Sequence, residues 1–242
     1  MLVADIAAEN AERVARDIGS GRALAAGGDV SDEDVIRELV ARAASEFGPV
    51  DLYFANAGIA GGVGLESSDD RWAAALDVNV LAHVRAARVL VPGWLERGSG
   101  HFVSTASAAG LLTQLGSAPY AVTKHAAVGF AEWLSVTYGN RGIGVSCLCP
   151  MGVKTALLDA GFGEDAENSS IATRAVTTAG AVLDPDDVAR MVLDGIAAER
   201  FLILPHPEVL EFYRHKGADY DRWIAGMRRF QDVLSTSAAE PS

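Results

Sequence analysis

Apolar runs of four to seven residues alternate along this chain with stretches whose apolar positions recur at helical spacing. LVAD (2–5) reads as a strand, and a helix follows over about 8–18. ALAAGGDV (23–30) reads as a strand leading into a loop, after which Ser31 or Asp32 caps a helix running to about Phe47. VDLYFANAG (50–58) is a strand and turn, followed by helical stretches around 68–77 and 80–97. HFVSTA (101–106) is another strand, a long helix occupies about 118–139, and GIGVSCLCP (142–150) is again a strand. Residues 156–183 are polar and glycine-bearing. A helix at 185–199, a strand FLILP (201–205) and a C-terminal helix over about 206–232 complete the pattern, with a tail at 235–242 predicted to fray.

Strands that are apolar on both faces and alternate with helices predict an α/β fold with one parallel sheet covered on both sides. Ligands of such sheets lie beyond the carboxyl ends of the strands. Asp5, Asp29, Asn56, Ser107 and Pro150 each end or follow a strand and so belong to one rim. No linker, composition shift or repeat interrupts residues 1–242, which predicts a single domain.

Half of the 242 residues are hydrophobic, which excludes disorder along the chain. The net charge of −12 argues against a nucleic-acid partner, since phosphate contacts need clustered Lys and Arg. No apolar run reaches the ~18 residues of a membrane span, and MLVADIAAEN turns acidic too early for a secretion signal. A cytoplasmic protein without a membrane partner is expected. Cys147 and Cys149 share one face of an extended strand and read as small core residues. The histidines lack any ligand spacing, so no metal site is expected. The only lysines are Lys124, Lys154 and Lys216.

One of those lysines sits in a telling place. The helix over 118–139 opens with Tyr120 and carries Lys124 four residues later, on the same face. Ser107 follows a strand end thirteen residues before Tyr120, and Asn79 lies in a separate helix. A phenol with a reference pKa near 10 is a weak base at neutral pH, and a cation beside it favours the phenolate. A serine hydroxyl can hold the substrate oxygen while the phenol moves its proton. None of these groups accepts a hydride, so a cofactor is required.

Together with NAG at 56–58, Asn79, Ser107 in SAAG, YxxxK at 120–124 and PxxVxT at 150–155, the chain resembles the short-chain dehydrogenase/reductase family from the second strand onward. The resemblance implies a doubly wound, Rossmann-like domain and an alcohol dehydrogenase or carbonyl reductase acting on a secondary alcohol or ketone. It implies Tyr120 as general acid/base, Lys124 as the residue lowering its pKa and holding the nicotinamide ribose, Ser107 as substrate anchor and Asn79 in a water-linked proton path. Asp29 and Val30 would lie along the adenine, the turn of Asn56, Ala57 and Gly58 against the cofactor, and Pro150, Val153 and Thr155 near the carboxamide. Asp5 would accept the ribose hydroxyls and repel a 2′-phosphate. With Ile6 rather than Arg after it, the implied cofactor is NAD in preference to NADP. A homodimer or homotetramer is the implied assembly. Asp5 also has a simpler reading, as an acidic residue at a helix N-terminus.

The departures are informative. The family's opening strand and TGxxxGxG turn, ~20 residues before the acidic residue, have no counterpart ahead of Asp5. The expectation is a sheet whose central strand is missing, either because the natural chain begins upstream of Met1 or because the sheet closes differently. The cluster from Gly58 to Gly64 reads as a loop rather than a substitute phosphate cradle. Residues 156–183 take the position of a substrate lid. Leu157, Leu158 and Phe162 there, with Thr113, Gln114 and Leu115, predict a pocket for an apolar alcohol or ketone. Tyr220, Trp223, Met227 and Phe230 form one helical stripe, read as core packing or as a contact with a second subunit. Two competing readings remain: a cofactor-free halohydrin dehalogenase, disfavoured by Lys124 where those use Arg, and a non-catalytic scaffold that pairs with an intact subunit.

Overall fold

The computed structural model describes residues 1–19, 21–162 and 166–236, the segment 166–170 as helical backbone only. Six short parallel strands alternate with ten helices among these residues. β1 (Leu2–Asp5) and β2 (Leu24–Gly27) pair with each other, in register from Leu2 opposite Leu24 to Asp5 opposite Gly27. β3 (Leu52–Ala55), β4 (Gly100–Thr105), β5 (Ile143–Leu148) and β6 (Leu202–Ile203) form a second ladder in that order. No described ladder joins β1 to β3.

The sheet carries helices on both faces. Along β4, Phe102 enters a core with Ile36, Trp94, Val128 and Leu134, whereas its neighbour Val103 enters a separate cluster with Val188, Val192 and Ile203. The first cluster is built by α2 (Glu33–Phe47), α4 (Ala82–Arg97) and α5 (Ala118–Tyr138); the second by α8 (Pro185–Ala197). This two-sided burial is why the strands read as apolar throughout, and it makes the fold Rossmann-like. Cys147 and Cys149 are fully buried in the first cluster, unbridged, with their sulfurs 3.8 Å apart.

Local chemistry sets the helix boundaries. α1 (Ala8–Ile18) starts beyond Asp5, and the Asp32 carboxylate caps α2 by accepting from the Asp34 amide at 2.8 Å. α3 (Asp69–Leu76) is capped by Ser68. It runs into α4 through a π-helical turn, Asp77–Leu81, so the two stretches expected at 68–77 and 80–97 are continuous. Residues 156–183, read as a polar, glycine-bearing stretch in the position of a lid, hold α6 (Ala156–Ala160) and α7 (Ala166–Ala179); residues 163–165 lie outside the described residues. The C-terminal helix is two helices, α9 (Glu208–Ala218) and α10 (Tyr220–Thr236). Asp219 is extended between them and its carboxylate accepts from the Arg222 amide at 2.9 Å, starting α10 afresh. Helix α10 therefore continues through Ser235 and Thr236, where fraying was expected; the rest of that tail lies outside the described residues. Among the described residues, no helix is long and apolar enough to cross a membrane.

Candidate active site

The carboxyl ends of β4 and β5 extend toward each other beyond the ladder. Ala106 donates to Leu148 and Ala108 to Pro150, so Ser107 projects from a fixed backbone. A single 3₁₀ turn, Ala108–Gly110, follows and lies against α5. Gly110 makes that approach possible: a Cβ there would stand 2.4 Å from the Lys124 carbonyl oxygen. Helix α5 begins with Pro119 in its first turn, where a fixed φ and a missing amide hydrogen are both harmless. Its N-terminus is held by Ser117, which donates to the Gly62 carbonyl. Tyr120 and Lys124 then face Ser107.

All three side chains are buried. Lys124 Nζ lies 5.5 Å from the Tyr120 ring centroid and donates to the Thr105 carbonyl at 3.0 Å. An ammonium has three donors, so two remain on Lys124. Burial lowers the Lys124 pKa to about 8, with Cys149 and Cys147 acting weakly the other way. The Tyr120 phenol is pushed up, chiefly by burial, while a hydrogen bond from Ser107 opposes the rise. The i, i+4 spacing alone predicted a phenol lowered by its lysine. In the structure burial is the largest influence, and it raises the phenol instead. The ring of Phe162 meets Tyr120 edge-on at 5.3 Å and covers it.

Asn79 lies in the π turn, a helical irregularity that often marks a functional site. Its amide donates to the Ile59 carbonyl at 2.9 Å and to Thr123 at 3.0 Å, and its oxygen accepts from the Ile59 amide at 2.8 Å. The side chain thus clamps the turn after β3. It brings Gly58 so close that an added Cβ would stand 3.4 Å from both Asn79 Oδ1 and Lys124 Nζ.

A cavity of about 1170 Å³ gathers most of the predicted positions: Asp5, Asn56, Ala57, Gly58, Ser107, Tyr120, Lys124, Pro150, Val153 and Thr155 all line it. Ile6, Asp29, Val30 and Asn79 do not. Ile6 is exposed, Asp29 caps its own turn by accepting from Ser31 at 2.9 Å, and Val30 packs on the main core. Asp5 accepts from the Ala7 amide at 2.9 Å at the start of α1, and it also lines the cavity. A nicotinamide dinucleotide fits these residues at its two ribose ends, through the free donors of Lys124 and the carboxylate of Asp5. The glycine cluster does not serve its middle. Gly61 and Gly62 are spent in contacts with Ala75 and Ser67 that a Cβ would prevent, and only Gly58 of the cluster reaches the cavity.

The family model described as short chain dehydrogenase matches residues 1–164. The chain belongs to that family. It is 30% identical, over 86% of its length, to 1-deoxy-11-beta-hydroxypentalenate dehydrogenase of Streptomyces exfoliatus, covering 74% of that protein. It is 35% identical, over 72% of its length, to the 17-beta-hydroxysteroid dehydrogenase 13 of Rattus norvegicus, where the match covers 55% of the relative. Against a third relative, short chain aldehyde dehydrogenase 1 of Euphorbia lathyris, the match covers 58% of that protein. Among solved structures it superimposes on a short chain dehydrogenase/reductase of Burkholderia phymatum in complex with NAD, with a TM-score of 0.81 and 32% identity, covering 91% of this chain and 84% of the other.

One residue beside the site, His206, was not singled out by the sequence. His206 pins the Pro150–Val153 loop: its Nδ1 accepts from the Met151 amide at 3.1 Å, which leaves Nε2 to donate to Gly152 and Ala181. Trp223, Met227 and Phe230 form a wall of the cavity, so most of the C-terminal stripe is used within the chain, and Tyr220 alone of the four is largely exposed. Leu157, Leu158, Phe162, Thr113, Gln114 and Leu115 line the cavity as expected.

Proposed function

We propose that this protein interconverts a secondary alcohol and its ketone using NAD in preference to NADP, with an apolar substrate. The observation that carries this reading is the burial of Ser107, Tyr120 and Lys124 together in one cavity that also reaches Asp5. The bound nicotinamide would supply or accept the hydride. Ser107 holds the substrate oxygen by its hydroxyl. Tyr120, kept protonated by burial, delivers its proton to that same oxygen on reduction and takes it back on oxidation. The Lys124 charge stabilises the phenolate left behind, and its free donors would hold the ribose. Phe162 keeps water off the phenol. Asp5 keeps one oxygen free of its capping role, and its charge disfavours a 2′-phosphate. An apolar substrate is supported by the wall of Leu112, Leu157, Val176, Trp223, Met227 and Phe230. We assign a homo-oligomeric assembly on the exposed Val122, Trp133 and Val136, which share one face of α5. Asn79 acts here as the clamp on the Gly58 turn beside Lys124.

The second reading, a non-catalytic subunit partner, is favoured by one observation: β1 and β3 share no ladder. Replacement of Tyr120 by Phe separates the two. The enzyme reading expects kcat to fall by about 10²- to 10⁴-fold with NADH affinity unchanged; equal turnover in the variant and the wild type would sink it.

A further inference from the structure

Two of the three lysines are buried. Lys154 is a surface residue paired with Asp184 at 3.0 Å, and Lys124 belongs to the site above. The third, Lys216 on α9, is 6% exposed, and among the described residues no carboxylate pairs with it. Its ammonium donates instead to the carbonyls of Leu111 at 2.7 Å and Leu112 at 3.0 Å, with a longer contact of 3.4 Å to His125 Nε2. The His125 Nδ1 is 2.8 Å from the Ala121 carbonyl, to which only an N–H can bond, so Nε2 presents its lone pair to the lysine. The three donors of one side chain thus tie together three elements: α9, the segment after the 3₁₀ turn, and α5.

The two carbonyls matter because of where they lie. Leu111 and Leu112 end the turn that Ser107 begins, and their carbonyls are among the last ones of a helical segment, which lack partners of their own. Immediately after them the chain turns through Thr113, which holds a positive φ of 154°, and Thr113, Gln114 and Leu115 face the cavity. On its far side the same loop is tied to the lid helix α7, Gln114 donating to the Ala172 carbonyl at 3.2 Å. A buried cation without a counter-ion is costly, and its hydrogen bonds to carbonyls are stronger than neutral ones. An uncharged side chain of similar length would fill the volume without that cost. The ammonium is therefore understood through what it holds.

We propose that Lys216 is a positioning residue that fixes the loop Leu112–Leu115 against α5 and thereby sets which alcohols or ketones the cavity accepts. The substrate half of this inference rests on the oxidoreductase reading; the loop half does not. The test compares the wild type with Lys216→Met, which keeps the aliphatic stem and removes the donors, by two readouts. The first is amide hydrogen exchange. Residues 111–115 are expected to exchange about tenfold faster in Lys216→Met while β4 and β5 are unaffected. The second is steady-state kinetics on a size-graded series of cyclic secondary alcohols. KM is expected to rise about tenfold for the largest members with kcat within threefold, so that selectivity for size is lost. A merely structural role would lower the melting temperature of the variant and leave its relative KM values alone. Unchanged exchange at 111–115, or an unchanged order and ratio of KM values in an active enzyme, overturns the proposal. If the wild type turns over no alcohol at all, the oxidoreductase reading fails and the exchange experiment still decides the role of the loop contact. If Lys216→Met does not fold, Lys216→Arg decides by the same readouts, since it keeps the charge but replaces the tetrahedral donor by a planar fork.

Discussion

Gly110→Ala is the smallest perturbation that reaches the whole site. Its backbone leaves room for any residue, since Gly110 is not among the positions with positive φ, so only space decides the outcome. The new methyl carbon would stand 2.4 Å from the Lys124 carbonyl oxygen, 2.8 Å from the Lys124 carbonyl carbon and 2.8 Å from Val128 Cγ2. Two of these atoms are backbone and cannot rotate away. An ordinary contact needs roughly 1 Å more, so the turn must lift off α5 by about that distance. The lift moves Ser107 relative to Tyr120, because Ser107 begins the turn and Tyr120 is fixed to the helix. Overpacking of this kind costs about 1–3 kcal/mol, or about 2–4 °C of melting temperature for each kcal/mol in a chain of this size. A misplacement of about 1 Å in a reacting constellation costs about 10²-fold in rate. The assay pairs thermal unfolding with kcat for one alcohol, and NADH titration shows whether the fold around the cofactor ends survives. The expected variant is folded, binds NADH and has lost about two decades of kcat. A folded variant with kcat within threefold of wild type and an unchanged melting temperature would refute the claim that close contact of turn and helix aligns the site.

Three further outcomes follow from charge and burial. Lys124 has its folded pKa lowered from 10.5 to about 8, so between those values the unfolded chain holds a proton that the folded one has released. Its burial is thus a cost at neutral pH that is relieved as pH rises through that window. The stability difference between wild type and Lys124→Met, from urea unfolding, should shift in favour of wild type by about 3 kcal/mol from pH 8 to 10.5; a flat difference contradicts the burial of its charge. Asp5→Asn retains the oxygen that caps α1 and removes the charge facing the cavity. NADPH affinity relative to NADH should rise about five- to tenfold, read from competitive titrations. In Phe162→Ala water reaches the Tyr120 ring, the effect of burial weakens and the phenol's pKa falls toward its ordinary value. The alkaline limb of the pH–rate profile should then move to lower pH, and an unmoved limb would show that Phe162 does not shield the phenol.

The strands and most helices were legible because burial on both sheet faces leaves near-continuous apolar runs, as Phe102 and Val103 illustrate by entering opposite clusters. The meeting of Ser107, Tyr120 and Lys124 was legible too, since strand ends and an i, i+4 helical spacing are local facts. What lies far apart in sequence was not. Lys216 reaches Leu111 across 105 residues and His206 reaches Met151 across 55, and no periodicity marks either contact. The separation of α9 from α10 hung on one carboxylate, Asp219, inside a stretch that reads as helix throughout. The direction of the Tyr120 shift depends on depth of burial, which spacing does not reveal. Asp29 and Val30 follow a strand end as expected, yet β2 pairs with β1 alone among the described strands and neither residue lines the cavity.

The most direct measurement follows the hydride itself. NADH carrying deuterium at its transferable position is incubated with the protein and a panel of apolar ketones, and the products are analysed by mass. The account predicts one deuterium on the carbinol carbon of at least one product in the wild type, and a rate lower by about 10²- to 10⁴-fold in Tyr120→Phe. A protein that binds NADH yet transfers no deuterium to any of the ketones, or one that transfers it as fast in Tyr120→Phe, would contradict it.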